Sequence, residues 1–428
     1  MHEKNAVSAV SNIVVCFHRL KYNKYMERLQ AYKFELMPNG EQRKNMRRFA
    51  GGCRFVYNRA LALQQESQKA EGGYIRYEEM AKCLPLWKRD TDTAWLKESP
   101  SQALQQTLMD LNKGFQKFFK KQAGYPKFKK KGQHDSFRFP DPKQLKLEEN
   151  NKRVFLPKLG WIRYRKSRRI EGSIRNATVS LRGGKWYISI QTQREVEEPM
   201  HPTQAIVGID VGISKLATLS TGEAIIPIHS LRRMEKKFAR LQRQLAKKKK
   251  GSRNAQKIKH KIQNCHMRIA NVRNDHLHKT TTTLCKNHAV LVVEDLQVKK
   301  MSQSAKGTIE NPGRNVKAKA KLNKSILDQS WGEFVRQLTY KQQWMGGRVI
   351  KVVPQYTSLR CSNCGHTAKE NRTTQARFAC VKCGHTENAD INAAKNIEAA
   401  GRAVLACGET AMAVSMKQKP SEAIQALA

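Results

Sequence analysis

The sequence predicts an α/β protein that carries additional β and α modules. Three observations predict it. Two short apolar runs, 205–209 (AIVGI) and 290–293 (VLVV), each stop at an acidic residue and read as buried strands. Residues 154–192 hold the strand-like runs IRNATVSL and KWYISIQT. Elsewhere, apolar residues recur at three- and four-residue steps over long helical stretches. A length of 428 residues fits two to four modules, at about 150 residues each.

Residues 31–36 (AYKFEL) alternate and read as a strand, stopped by Pro38 and the Asn39-Gly40 pair. A helical region follows over 41–68. Its apolar residues include Met46, Phe49, Phe55 and Leu61, and it carries Arg43, Arg47, Arg48, Arg54 and Arg59. A second helix starts at the Ser99-Pro100 boundary and repeats Leu104, Leu108, Leu111, Phe115 and Phe118. The apolar stripes face a core; the arginines face either solvent or nucleic acid, and the sequence leaves both open.

Residues 124–140 (GYPKFKKKGQHDSFRFP) interleave Lys127, Lys129, Lys130, Lys131 and Arg138 with Tyr125, Phe128, Phe137 and Phe139. Cations hold phosphates while aromatic faces stack bases. The strands after residue 154, with the hairpin connection Arg182-Gly183-Gly184-Lys185, join the 31–36 strand in a barrel-like module. Residues 195–203 (EVEEPMHPT) read as an acidic linker. A helical hairpin spans 231–289. Leu231, Met234, Phe238, Leu241 and Leu245 mark one arm; Ile258, Ile262, Ile269 and Val272 mark the other.

Charge decides the partner class. Lys plus Arg is 81 and Asp plus Glu is 35, a net charge of +46. Such a field calls for a polyanion, and nucleic acid is favoured over a membrane surface. No run of about 20 apolar residues crosses a bilayer. Hydrophobic residues make up 39%, enough for real cores. Of ten cysteines, Cys16, Cys53, Cys83, Cys265, Cys285 and Cys407 are scattered, which indicates a reducing compartment and not a disulfide scaffold. Residues 6–17 are mildly apolar but interrupted and without a cleavage site, so residues 1–25 are expected to be an extension of a non-secreted protein.

Asp210 ends the first apolar strand abruptly, with Gly208 and Gly212 clearing space around it. Glu294 closes the second strand; Asp295 follows, and strand alternation lets only one of that pair face Asp210. Asp390, in ENADINAAKNI, opens a helix, with Asn388 and Asn392 beside it. Taken singly, each acid reads as a cap or a turn residue. Together they resemble a ribonuclease H-like site, whose carboxylates repel unless divalent cations such as Mg²⁺ neutralise them. Two such ions can activate water and stabilise a leaving 3′ oxygen. Cys361-x-x-Cys364 and Cys380-x-x-Cys383 match a structural four-cysteine zinc site, closed by thiolates so that His366 and His385 are not ligands.

The order of Asp210 in GIDVG, Glu294 in VVEDL, the paired CxxC motifs and Asp390 resembles TnpB proteins, as do CRFVYNRAL and SPSQALQQTL. The resemblance covers nearly the whole chain from Met26 to about Gly401. It implies a transposon-encoded, Mg-dependent RNA-guided DNA endonuclease, cytoplasmic and nucleoid-associated in a prokaryote. Its partners would be a guide RNA from the transposon end, double-stranded target DNA and a separate transposase of the same element. The runner-up is a guided DNA-binding regulator or accessory transposition factor without cleavage.

The resemblance also implies a RuvC-like nuclease domain at 204–356 and 387–400, with Asp210, Glu294 and Asp390 catalytic and holding two Mg²⁺ ions. A zinc-binding, nucleic-acid-loading module would span 357–386 and hold one Zn²⁺. A wedge-like β-barrel would span 26–45 and 132–198, a helical recognition lobe 46–131 and a flexible tail 401–428. Sequence choice by base pairing leaves the protein to grip backbones, which explains +46 without a helix-turn-helix pattern. Arg47, Arg48, Arg54, Tyr57, Tyr125, Lys127, Phe128, Lys129, Lys130 and Lys131 are the expected nucleic-acid contacts.

Overall fold

A computed structural model describes residues 25–415. The expected extension lies outside the described residues apart from Tyr25, as does 416–428. The chain opens with strand β1 (Tyr25–Met37), followed by helices α1 (Gly40–Lys69), α2 (Tyr77–Arg89) and α3 (Ser101–Phe119). Six strands follow: β2 (Ser136–Phe139), β3 (Lys146–Glu148), β4 (Arg153–Leu156), β5 (Gly160–Tyr164), β6 (Ser173–Arg182) and β7 (Lys185–Glu197).

These seven strands form one antiparallel sheet in the order β2-β6-β7-β1-β5-β4-β3. β1 is its spine. It pairs with β7 from Tyr25↔Glu197 to Glu35↔Tyr187, then hands its last residues, Leu36 and Met37, to β5. The strand therefore begins six residues before the expected 31–36 segment, because ladder bonds to β7 hold the polar residues Glu27, Arg28 and Gln30 extended. The same ladder draws Glu195–Glu197 out of the expected linker and into β7.

Asn39 does not merely end β1. Its side chain accepts from the Gln42 amide at 2.8 Å, and Gln42 Oε1 accepts from the Asn39 amide at 3.1 Å, a reciprocal cap that starts α1. Gln42 Nε2 also donates to the carbonyls of Leu159 and Trp161, both at 3.0 Å, tying the helix start to the β4–β5 turn. One core joins sheet and helices: Tyr32 and Phe34 of β1, Met46 and Val56 of α1, Leu104 and Leu108 of α3, and Ile188 and Ile190 of β7.

The second half holds β8 (Ile206–Asp210), β9 (Ala217–Leu219), β10 (Ala224–Ile225), α4 (Ser230–Ala246), α5 (Arg253–Asn287), β11 (Val290–Glu294), α6 (Val298–Met301), α7 (Val316–Gln329), α8 (Trp331–Met345), β12 (Arg348–Val352), β13 (Arg377–Ala379), β14 (Thr386–Asn388) and α9 (Ala389–Ser415). A five-stranded sheet runs β10-β9-β8-β11-β12, with β8, β11 and β12 parallel and β9 and β10 antiparallel. Val207, Ile209, Leu291 and Val293 face a core with Leu277 and Leu284 of α5 and Phe334 and Leu338 of α8. Val292 and Val352 face the other way, onto Ile397 of α9. The α4–α5 hairpin closes on Leu241, Cys265 and Ile269, whereas Val272, expected on the seam, is exposed.

Gly208 has a different job from the one its sequence position suggests. A Cβ there would lie 2.0 Å from the Ala394 carbonyl oxygen and 2.6 Å from the Glu398 amide, so the glycine admits the α9 backbone, not the carboxylate next to it. Gly401 answers it: a Cβ would lie 2.3 Å from Val292 Cγ2. The first part of the expected tail is helical, since α9 continues through Gly401 to Ser415.

The two sheets meet through the β6–β7 turn. Gly183 and Gly184 take φ of +55° and +77° and pack against Met267 and His260 of α5. Arg28 of β1 stacks over Trp344 of α8 at 4.1 Å. Replacing Gly208 by Ala is expected to cost about 3 kcal/mol or more, because the new methyl meets rigid helix backbone; thermal unfolding of the purified variant measures it.

Candidate active site and metal centre

β8 and β11 are parallel neighbours in the register Ile209↔Val293. The next residues, Asp210 and Glu294, therefore sit side by side at the carboxyl ends of strands about 4.8 Å apart. Alternation decides their direction. Ile209 and Val293 point into the α5–α8 core, so Gly208 and Asp210, like Val292 and Glu294, point towards α9. Asp295 falls on the opposite face and pairs with Lys351 Nζ at 3.3 Å, with both side chains exposed. The structure thus brings Glu294, and not Asp295, to Asp210.

Asp390 comes from the first turn of α9, one turn before the Ala394 carbonyl that rests on Gly208. It is not the helix cap. Asn388 Oδ1 accepts from the Asp390 amide at 3.1 Å and fills that role, which leaves the Asp390 carboxylate to the site. Burial, then the charges of Glu294 and Asp390, push the Asp210 carboxyl up to about 7; Arg372 and Lys215 oppose the shift.

Three further side chains reach this centre. Lys215 Nζ lies 3.3 Å from Asp390 Oδ2. Thr357 donates to Glu294 Oε1 at 2.6 Å. Arg372 brings positive charge to Asp210 from the segment between the two cysteine pairs. Lys215 was within reach of sequence reasoning, five residues past Asp210. Nothing local marks Thr357 or Arg372.

The four cysteines Cys361, Cys364, Cys380 and Cys383 place their sulfurs within 4.8 Å of one another. The Cys361–Cys383 and Cys364–Cys380 sulfurs are 3.7 and 3.6 Å apart. Tetrahedral zinc with bonds near 2.3 Å needs a sulfur separation of about 3.8 Å, so the thiol set fits that ion. The two knuckles repeat each other. Gly365 and Gly384, at φ of +74° and +72°, donate to the Cys361 and Cys380 carbonyls at 3.0 Å. His366 and His385 serve through their carbonyls, each accepting from a cysteine amide at 2.9 Å.

The knuckle is moored to α9. Asn392 Nδ2 donates to the Arg360 carbonyl at 2.8 Å and its Oδ1 accepts from the Ser362 amide at 2.9 Å. Asn396 donates to the carbonyls of Thr357 and Arg360 at 2.9 and 2.7 Å.

The expected nucleic-acid residues divide into two groups. Arg54 pairs with Asp135 at 2.8 Å in a largely buried contact. Lys129 sits over the Tyr57 ring at 4.0 Å, and Asn58 bonds the Lys129 backbone in both directions. Arg48 pairs with Glu98 at 2.8 Å. Arg54, Tyr57 and Lys129 thus fasten the 127–135 segment to α1. Arg47, Lys127, Phe128, Lys130 and Lys131 are exposed, and Tyr125 is half-buried among α3 aromatics.

A carboxylate trio on paired strand ends, completed by a helix that also anchors a four-thiol knuckle, defines an α/β protein with an acidic centre and a cysteine cluster able to hold a metal ion. The family described as "Probable transposase" matches residues 189–305, the Cas12f1-like TNB domain matches 331–397, and a family described as "Helix-turn-helix domain" matches 26–73. Over 26–73 the structure has β1 and the single long helix α1. The chain is 57% identical over 404 residues to the "Putative RNA-guided DNA endonuclease InsQ" of Escherichia coli K12, covering 94% of this chain and 100% of the relative. It is 32% identical to a "Putative RNA-guided DNA endonuclease" of Streptomyces pristinaespiralis, covering 89% and 91%. The solved Cas12f1–sgRNA–target DNA complex shares the fold at a TM-score of 0.54 and 13% identity, over 87% of this chain and 99% of that one. The chain belongs to the TnpB family. Among the described residues, no helix is long and apolar enough to cross a membrane.

Two outcomes follow from this geometry. Metal analysis of the purified protein should find one zinc per chain, lost in the Cys361→Ser, Cys380→Ser double variant. In chelator, the folded state holds the Asp210 proton up to about pH 7 while the unfolded chain releases it near 3.8. The native state therefore binds more protons between those values, and stability falls as pH rises through them. Asp210→Asn should raise the unfolding free energy of the chelated protein at pH 8 by roughly 2–4 kcal/mol, and by little at pH 4.

Proposed function

We propose that this chain is an RNA-guided DNA endonuclease of a transposon, which hydrolyses target phosphodiesters at Asp210, Glu294 and Asp390. The convergence of these three carboxylates, from segments far apart in sequence, carries the reading. The relatives named as putative RNA-guided DNA endonucleases support it over 100% and 91% of their length. The mixed sheet with α9 across one face supports a ribonuclease H-like, RuvC-type nuclease domain at 204–356 and 387–400, interrupted by the zinc module at 357–386. The seven-stranded sheet is read as the wedge at 26–45 and 132–198, and α1 to α3 as the recognition lobe at 46–131.

The donor set suits Mg²⁺: three carboxylates, all hard oxygen donors, with more negative charge than Lys215 and Arg372 offset. Bound between them, two divalent ions would act as Lewis acids on the scissile phosphate and make water acidic enough to attack. The protein's own part is positioning. Thr357 holds one oxygen of Glu294 and so fixes the orientation of its carboxylate. Lys215 steadies Asp390, and the Asn388 cap fixes the turn that presents it. The zinc knuckle, tied to α9 by Asn392 and Asn396, holds Thr357 and Arg372 at the mouth of the site.

Sequence choice in such a system rests on base pairing, and the +46 charge supplies the grip on guide and target backbones. The test uses the full chain purified with co-expressed RNA from its transposon end, and plasmid carrying a matched target beside randomised flanks. Mg²⁺-dependent double-strand cleavage is expected. Asp210→Ala should lower the rate at least about a thousand-fold while RNA binding persists. Undiminished cleavage by Asp210→Ala would sink the site assignment, and cutting without RNA would sink the guided mechanism.

A further inference from the structure

The helical module carries an open aromatic slot that the acidic centre does not use. α3 ends at Phe119, and the chain turns back at once. Lys121 takes a left-handed φ of +56°, and the amides of Gln122 and Ala123 donate to the Lys117 carbonyl at 2.8 and 3.2 Å. The return lays Tyr125 on α3, edge-on to Phe115 and Phe118 at 5.4 and 5.3 Å. From the α1 side, Tyr74 meets Phe115 and Phe119 at 5.4 and 5.3 Å. Its hydroxyl donates to Asn112 Oδ1 at 2.6 Å, which sets the ring plane.

These rings enclose a cavity of about 190 Å³ that opens to solvent. A core would cover them all. Here Phe115 is buried, but Phe119 is 57% exposed and Tyr74 37%. The cavity is smaller than the roughly 300–1,000 Å³ of sites for drug-sized molecules, so it suits a single flat ring. The surrounding charge narrows the choice. On its α3 side, between Leu111 and His134, the chain has eight lysines and no acidic residue, against a single carboxylate, Glu78, acting on Tyr74 from the other side. A flat ring attached to a polyanion is a nucleotide base. Folded RNA presents unpaired bases to proteins as soon as it binds, whereas a DNA duplex keeps its bases stacked until the guide opens it.

We propose that Tyr74, Phe115, Phe118, Phe119 and Tyr125 receive one unpaired base of the bound RNA, with Lys117, Lys120, Lys121 and Lys127 on its flanking phosphates. The proposal rests on the RNA-guided reading above and adds where one base of that RNA goes. Tyr125, Lys127 and Phe128 then act with α3 and Tyr74 rather than as a separate basic loop.

The experiment uses the full chain with its co-purified transposon-end RNA, in wild type and in Phe119→Ala, Phe119→Leu and Phe119→Tyr. Base-resolved chemical probing compares free and bound RNA, titration gives affinity, and thermal unfolding reports the fold. Wild type and Phe119→Tyr should protect one base that is reactive in free RNA. Phe119→Ala and Phe119→Leu should re-expose it and weaken binding roughly five- to a hundred-fold, with unfolding unchanged. Equal protection and affinity in all four proteins would overturn the slot alone. So would unchanged RNA protection in Phe119→Ala while, in complexes given matched target DNA, a base of that DNA loses its protection. Wild type that binds no RNA would overturn the guided reading together with the slot.

Discussion

The structure turns on the close approach of α9 to the five-stranded sheet. Two glycines permit it. Gly208 on β8 lets the helix backbone lie against the strand, and Gly401 on the helix makes room for Val292 on β11. Glycine inside a helix costs about 1 kcal/mol relative to alanine, so its presence at 401 marks a packing need. The first turn of α9 delivers Asp390 to Asp210 and Glu294. Its next turns present Asn392 and Asn396 to the cysteine knuckle. Acidic centre and cysteine knuckle therefore hang from one helix, and an error in its seating would disturb both.

That arrangement also holds an electrostatic strain. Carboxylates at neighbouring strand ends repel, and burial strengthens the repulsion. Lys215 and Arg372 relieve only part of it, which is why the Asp210 carboxyl sits so high. The basic surface elsewhere has the opposite character. Several of its cations are engaged with protein groups, as Arg54 is with Asp135 and Lys129 with Tyr57, and they order the 127–135 segment. The exposed lysines on α3 and in the segment after it flank the aromatic slot.

Much of this was legible from residue order. The apolar runs ending at Asp210 and Glu294, the two CxxC pairs and the helix after Asp390 each have a local signature, and all are found as strands, knuckles and helix. The capping reading of Asp390 failed for a local reason too: Asn388, two residues earlier, takes the amide. Other features had no local signature. β1 extends through polar residues because β7 lies beside it. α2, interrupted by Pro85, has only Met80, Leu84 and Trp87 buried. Thr357 and Arg372 belong to the acidic centre only because the knuckle folds over it.

By itself, the sequence determined the partner class, through a net charge of +46, and the thiol set, through two CxxC pairs at matching spacing. It also narrowed the second acid to Glu294 or Asp295. Tertiary structure alone decided between them. Period-two alternation sends the two acids to opposite faces, but which face holds α9 depends on helix packing, and that packing is set by Gly208 and Gly401 across nearly 200 residues of chain. A choice made by contacts that distant cannot be read from neighbouring residues.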